Sequence, residues 1–295
     1  MKASVVGRLI GYGVLLAGVV GILWLVQNRQ YVLDQLAVSR YQPSAEVANL
    51  AKSSSMSSEG QFYFYASEPK VDGTQAFNSL CDRKEKQNAI LGCYSDMKVY
   101  IYDVSNPQLD GVKEVTASHE MLHAAWDRLS DAKKSEVGAL LENEYKKQND
   151  AELNTRMEYY ARAEPAERTN ELHSIIGTEF ASISTELEKY YSQYFSNRQV
   201  VVAFHQSYKK IFNDLETQSA VLLKEINNLK SSITARISAY NASSAQLEQE
   251  GKSLKRDYSS LDSSNSSAVN AYNPRVNPYN VKTTGLNAEY THSQA

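Results

Sequence analysis

The chain has 295 residues and a formal net charge of −3, from 31 basic and 34 acidic side chains. The charges form no long basic run, so composition gives no reason to expect a nucleic-acid-binding protein. The length exceeds that of a usual single domain and allows one sizeable domain with an appendage.

The first feature in chain order is an uninterrupted apolar run from residue 9 to residue 26. As a helix rising about 1.5 Å per residue, it would nearly span the hydrocarbon core of a bilayer. Lys2 and Arg8 precede the run, so the positive-inside rule sends the rest of the chain across the membrane. Residues 1–29 are therefore predicted to be a cytoplasmic stub and a transmembrane anchor; a cleaved signal peptide is the alternative.

The next segments predict a tether and two strands. Residues 30–60 are polar and contain Pro43 and a serine cluster, so they are interpreted as a tether. Segment 61–65, QFYFY, is rich in strand-forming residues. Segment 98–104, KVYIYDV, is the second candidate strand and is followed by an Asn-Pro turn.

The two cysteines of the chain, Cys81 and Cys93, lie between these candidate strands. Neither belongs to a CxxC motif, so a zinc ribbon is not expected. In a translocated domain, a pair at this distance predicts a disulfide that closes a short loop. Two unrelated buried thiols are the alternative interpretation.

The strongest motif is the pentapeptide HEMLH at residues 119–123, which fits the pattern HExxH. On a helix, His119 and His123 lie on one face, so both imidazoles can reach one tetrahedral Zn²⁺ ion. Glu120 lies about 100° around the helix, close enough to hold a metal-bound water without being a ligand. An exposed helix with two solvated histidines is the alternative.

A catalytic zinc site uses three protein ligands and a water, so two histidines leave one ligand to be found. The cysteines are excluded by their expected pairing. Downstream of the motif, the candidates are Glu171, His173 and Glu179. Glu171 is followed three residues later by Ser174, and a small residue there allows its helix to pack closely against the motif helix.

Segment 118–127, SHEMLHAAWD, resembles the active-site helix of gluzincin zinc metallopeptidases. It is most similar to the small inner-membrane-associated protease family that processes a subunit of the mitochondrial ATP synthase. The segment around Glu171 resembles the second motif of that group, a glutamate with a small residue at plus three. It also resembles the thermolysin-type NExxSD motif, but Ile175 replaces the terminal Asp, which leaves the orientation of the histidines unexplained. The resemblance implies Glu171 as the third ligand, with Glu179 and His173 as alternatives.

The motif and the resemblance imply a zinc-dependent metalloendopeptidase. One Zn²⁺ ion would activate its bound water for hydrolysis of a peptide bond, with Glu120 as the general base. His173, Tyr159 and Tyr160 are candidate hydrogen-bond donors to the transition state, although packing in the helical core is the alternative for the tyrosines. By the same resemblance, the strand at 98–104 would hold an extended substrate by main-chain pairing.

The C-terminal third predicts a long helix with a coiled-coil seam. Two sets of apolar residues recur at seven-residue intervals: Leu215, Leu222 and Leu229, and Ile226, Ile233, Tyr240, Leu247, Leu254 and Leu261. After Leu229 the first set is replaced by polar residues, so the second half of the helix is expected to pair more weakly. The Ser/Asn-rich tail contains Pro274 and Pro278 and is predicted to be disordered.

Strands followed by helices predict an α+β fold with an N-terminal transmembrane helix. A small zincin-like domain, a short sheet followed by helices, is expected over 61–200. A long helix or coiled coil follows over 201–262, and the polar tail covers 263–295.

The expected partners are a protein or peptide substrate, the membrane through 9–26, and a coiled-coil partner or second copy, but no nucleic acid. The expected location is the cell membrane, single-pass, with the catalytic domain on the extracytoplasmic side. Two other hypotheses stay open. One is a non-catalytic, membrane-anchored coiled-coil tether or assembly protein with a zincin-like domain; the other is a secreted metal-binding protein released by signal cleavage.

Overall fold

A computed structural model of the chain describes residues 2–81 and 90–292. Across these residues the fold is mostly helical, with a single small sheet of three strands. The predicted α+β fold is therefore wrong. The predicted strand at 61–65 lies inside helix α4 (Ser58–Ala66), where Ser57 caps the helix by accepting a hydrogen bond from the Gly60 amide. Phe64 lies on the buried face of this helix. Aromatic residues, which favour strands by composition, therefore pack here from a helix.

Helix α1 (Lys2–Gln27) contains the apolar run of the predicted anchor. Among the residues that the structure describes, no helix combines the length and the apolar character needed to cross a bilayer. The predicted N-terminal transmembrane helix is therefore wrong, and the predicted single-pass membrane location loses its support.

Residues 30–60 are mostly helical and contact the rest of the N-terminal part of the chain, so they do not form a tether. Helices α2 (Arg29–Arg40) and α3 (Ala45–Ser53) occupy most of the segment. The Arg128 guanidinium donates to both carboxylate oxygens of Asp34, at 2.8 and 2.7 Å, and both side chains are buried. This bidentate ion pair fixes α2 against the helix that carries the HExxH motif.

The sheet has the strand order β1-β3-β2, with β1 (Lys70–Asp72) parallel and β2 (Gly92–Ser95) antiparallel to β3 (Lys98–Tyr102). Asp96 and Met97 both have positive φ, 51° and 62°, which suits the two-residue turn between β2 and β3. Helix α5 (Thr74–Leu80) follows β1. The second predicted strand is thus present as β3, but it pairs on both sides. The expectation that it holds a substrate at a free edge is wrong, because β3 is the central strand and the two edges are β1 and β2.

Helix α6 (Val112–Asp127) is buried along most of its length and packs most extensively against α9 (Arg168–Glu179). After a short 3-10 turn at Pro107–Leu109, the chain forms α6, α7 (Asp131–Gln148), α8 (Ala151–Ala163), α9 (Arg168–Glu179) and α10 (Thr185–Tyr191). Helix α9 approaches α6 closely at Gly177, where an added Cβ would lie 2.4 Å from the Leu122 side chain. This close approach brings the first turn of α9 to the HExxH motif.

The chain divides into two compact units, 1–213 and 214–295, and helix α11 (Gln199–Ser259) runs through the boundary. Within the second unit, α12 (Ser266–His292) packs antiparallel to the end of α11. Arg275 pairs with Asp257 at 2.7 Å, and Lys282 pairs with Glu250 at 3.0 Å. The tail that was expected to be disordered therefore includes a helix, stabilised by its contacts with α11.

Candidate metal centre

Helix α6 places the two motif histidines on one face, as the i, i+4 spacing predicts. The His119 and His123 ring centroids are 4.7 Å apart, with an angle of 77° between the rings. Both rings are largely shielded from solvent, with side-chain exposures of 18% and 9%. The Nε2 atoms of both rings point toward the same carboxylate on α9.

That carboxylate belongs to Glu171, in the first turn of α9. Its Oε2 lies 3.5 Å from His119 Nε2, and its Oε1 lies 3.5 Å from His123 Nε2. One donor atom from each residue can be chosen so that all three lie within 4.8 Å of one another. Tetrahedral zinc with bonds of about 2.0–2.1 Å separates its ligand atoms by about 3.3 Å. The two imidazole–carboxylate distances are close to this separation, and the three residues together could hold one metal ion.

The orientation of His123 is fixed by two buried polar residues of α9. Asn170 Oδ1 lies 2.9 Å and Ser174 Oγ 3.3 Å from His123 Nδ1. Asn170 Nδ2 donates to Glu167 at 3.1 Å, which identifies the other amide atom as the oxygen that accepts from the imidazole. With its proton on Nδ1, His123 presents the Nε2 lone pair toward Glu171.

Asn170 is the site residue that sequence reasoning missed. Its signal was present, because it immediately precedes Glu171 in the segment compared with NExxSD. In the sequence analysis, the orientation of the histidines was related only to the terminal Asp that Ile175 replaces. In the structure, the Asn170 amide occupies the position from which a neighbouring carboxylate would orient a histidine.

Glu120 lies on the buried side of α6, facing an edge strand of the sheet. Strand β2 passes so close that a Cβ added at Gly92 would lie 2.6 Å from Glu120 Oε1. Burial raises the pKa of Glu120, while the imidazoles of His123 and His119 act in the opposite direction. A raised pKa makes a carboxylate a stronger base, as the role of proton acceptor requires.

Glu171 has the opposite electrostatic character. Burial alone would raise its pKa, but the imidazoles of His123 and His119 and the Arg156 guanidinium outweigh burial and lower the pKa to about 2. The carboxylate is therefore ionised over the whole physiological range, as a metal ligand must be.

Glu179, an alternative third ligand in the sequence, is engaged elsewhere. Arg156 Nη1 donates to both of its carboxylate oxygens at 2.8 Å, and His205 Nε2 lies 3.4 Å from Oε2. Burial acts to raise the pKa of Glu179, but the positive charge of Arg156 outweighs burial and the pKa is lowered. The structure thus brings Glu171, and not Glu179, to the two motif histidines.

His173, the other alternative, is fully buried among aromatic rings. Its Nε2 lies 2.9 Å from the Tyr190 hydroxyl, and its ring centroid lies 5.1 Å from Trp126 and 5.4 Å from Tyr191. Burial holds the pKa of His173 well below its ordinary value. This enclosed position is structural, and it does not suit the expected role of a donor to a transition state.

Tyr159 and Tyr160, the other candidate donors, are half-buried on α8, with ring centroids 5.4 Å apart. Tyr160 packs against the main hydrophobic core. For Tyr160 this is the packing role that was the alternative interpretation.

The predicted disulfide between Cys81 and Cys93 is confirmed. It joins the end of α5 to β2, the strand that passes Glu120. The bond therefore fixes one wall of the site as well as closing a loop.

Comparisons with known proteins add no assignment. No family model matches the chain, and no curated protein or solved structure matches it. The similarity to gluzincins stays a prediction, and any function must be argued from the residues of the site.

Proposed function

We propose that this protein is a zinc-dependent metalloendopeptidase, with His119, His123 and Glu171 as the metal ligands. The observation that carries the proposal is the convergence of three donor atoms from two helices within 4.8 Å of one another. Two neutral imidazoles and one carboxylate are the ligand set of an open, catalytic zinc site.

A zinc ion held by His119, His123 and Glu171 would supply Lewis acidity, which activates water and polarises a carbonyl. Glu120 takes the proton of the attacking water on a carboxylate oxygen and returns it to the leaving amine. Its burial and raised pKa support this role. Asn170 keeps His123 in the tautomer whose Nε2 is free to bind.

The edge strand β2 supports a peptide as the substrate. It pairs with β3 on one side and passes the Glu120 carboxylate. An extended peptide can add to such an edge through main-chain hydrogen bonds, which hold it without reading its side chains. In this proposal β2 replaces the strand at 98–104 as the surface that orients the substrate.

The Cys81–Cys93 disulfide supports an oxidising compartment outside the cytosol. We therefore place the peptidase outside the cytosol.

The proposal is tested by hydrolysis of an unfolded protein such as reduced casein, with zinc content measured on the same samples. Glu120→Gln keeps the three ligands, so it should retain zinc while activity falls by at least about 100-fold. Glu136→Gln, at an exposed ion pair on α7, is the matched control and should behave as wild type. A wild type without zinc, or full activity in Glu120→Gln, contradicts the proposal.

A further inference from the structure

Within the second unit, helix α11 exposes an apolar stripe. Its members are more than half exposed, between 55% and 63%, and we call them the open seam: Leu215, Leu222, Ile226, Leu229 and Ile233. A contiguous apolar stripe of this length is unusual on a free surface and marks an interaction site.

Farther along α11, the same repeat is covered by α12. Leu254 is buried there, and the Tyr240 ring lies 5.9 Å from the Tyr290 ring near the end of α12. Upstream of Tyr240 the described part of the chain leaves the seam uncovered, as the exposures of Ile233 and Leu229 show. One helix therefore carries a continuous repeat that is internally partnered in one half and unpartnered in the other.

The residue types of the open seam specify what covers it. Steps of four and three residues alternate from Leu222 to Ile226, Leu229 and Ile233, which are the steps between the d and a positions of a heptad. Isoleucine occupies the a positions and leucine the d positions. This distribution favours a parallel, two-stranded coiled coil over higher oligomers.

The charges beside the seam agree with a parallel, in-register pair. Glu225 takes the g position before Ile226, and Lys230 takes the e position after Leu229. Across a parallel dimer, a g side chain meets the e side chain of the following heptad on the other helix. Glu225 of one chain would thus face Lys230 of the other, twice by symmetry. Both residues are exposed, and neither has an ion-pair partner within the described residues.

We propose that the open seam binds the open seam of a second copy of this chain, forming a parallel, two-stranded coiled coil. The occupant is the same chain because the seam and its flanking charges are self-complementary in that arrangement. Ser219, at the a position between the two leucine layers, fixes the register, since a polar a residue disfavours shifted pairings. The proposal goes beyond the peptidase function and does not depend on it.

The first test is sedimentation of the full-length protein over a range of concentrations. The wild type should dimerise, and Ile226→Asp with Ile233→Asp should raise the dissociation constant by at least about 100-fold. Val221→Asp is the matched control, because Val221 is equally exposed but lies at a c position away from the seam. Helix α1 also exposes apolar side chains, so the difference between the two variants is the readout.

The second test distinguishes parallel from antiparallel pairing. Glu225→Lys should weaken the dimer by repulsion, and the combination of Glu225→Lys with Lys230→Glu should restore it. In an antiparallel pair g faces g, so the double change would restore nothing. That outcome contradicts the proposed arrangement.

A disulfide trap gives the register. Both native cysteines are already paired, so Ser219→Cys introduces a single free thiol that faces its copy across the proposed dimer. It should form a covalent dimer on mild oxidation, whereas Ser231→Cys, on the outer f position, should not. A monomeric wild type, equal cross-linking of both variants, or equal effects of the seam and Val221 substitutions overturns the proposal. Zinc binding, measured on the same samples, should stay unchanged throughout.

Discussion

Helix α9 carries two largely buried glutamates, one at each end, and their surroundings make them chemically different. Glu171, in the first turn, faces the two imidazoles of the HExxH motif. Imidazole is a common metal-binding side chain. Glu179, in the last turn, is neutralised by the permanent cation Arg156 and supported by His205.

Both carboxyls have lowered pKa values, so ionisation alone does not identify the ligand. The side chain that faces each carboxylate distinguishes the two. A guanidinium cannot be deprotonated and forms a closed ion pair, whereas imidazoles present lone pairs that a metal can share. The comparison predicts that one end of α9 stabilises the fold and the other end binds a cation.

The largest effect on stability should come from the Glu179 end. Glu179→Gln leaves the partly buried Arg156 charge without its counterion, and we expect a loss of roughly 2 kcal/mol in the free energy of unfolding. Zinc affinity should change little. Urea unfolding of the metal-free protein measures this effect, with the exposed Glu136→Gln as control. A stability equal to wild type would show that Arg156 and Glu179 are not a structural pair.

The next effect concerns the support of the Glu171 end. Asn170→Ala removes the acceptor that orients His123, and we expect zinc affinity to fall about 10- to 100-fold with the ligands intact. Equilibrium dialysis against a zinc buffer is the measurement. Asn228→Ala, on the exposed surface of α11, is the matched control. Unchanged affinity in Asn170→Ala would mean that His123 needs no positioning partner.

The smallest effect is the pH dependence of the Glu179 pair. Its folded-state pKa is lowered from 4.5, so its stabilising contribution is complete above pH 4.5 and is lost as the pH falls through the folded-state value. The stability difference between wild type and Glu179→Gln should therefore shrink below about pH 4.5. The difference between the proteins is the quantity to follow, because His205 titrates in both. A difference that grows in acid has the wrong sign for this account.

The sequence was informative where chemistry follows from local spacing. The i, i+4 separation put His119 and His123 on one helix face, and proximity in the chain indicated the Cys81–Cys93 pair. The resemblance of the segment around Glu171 to a second zincin motif indicated which glutamate joins the histidines. The structure brings that carboxylate to them, and its role as a ligand stays a prediction.

The sequence was misleading where distant contacts decide the structure. The aromatic segment 61–65 suits a strand by composition, but the Ser57 cap and the burial of Phe64 make it helical. The composition of the tail predicts disorder, but contacts with α11 stabilise α12 within it. The only sequence signal for Asn170 is its place before Glu171 in the segment compared with NExxSD, and its contact with His123 at 2.9 Å is visible only in the structure.

Zinc binding by wild type, Glu171→Gln and Glu179→Gln, measured side by side by equilibrium dialysis at neutral pH, tests the central claim most directly. The account predicts one zinc ion per chain in wild type, retention in folded Glu179→Gln, and an affinity at least about 100-fold weaker in Glu171→Gln. Equal zinc binding by Glu171→Gln and wild type would contradict it. Loss of zinc from folded Glu179→Gln, with retention in Glu171→Gln, would exchange the roles assigned to the two ends of α9.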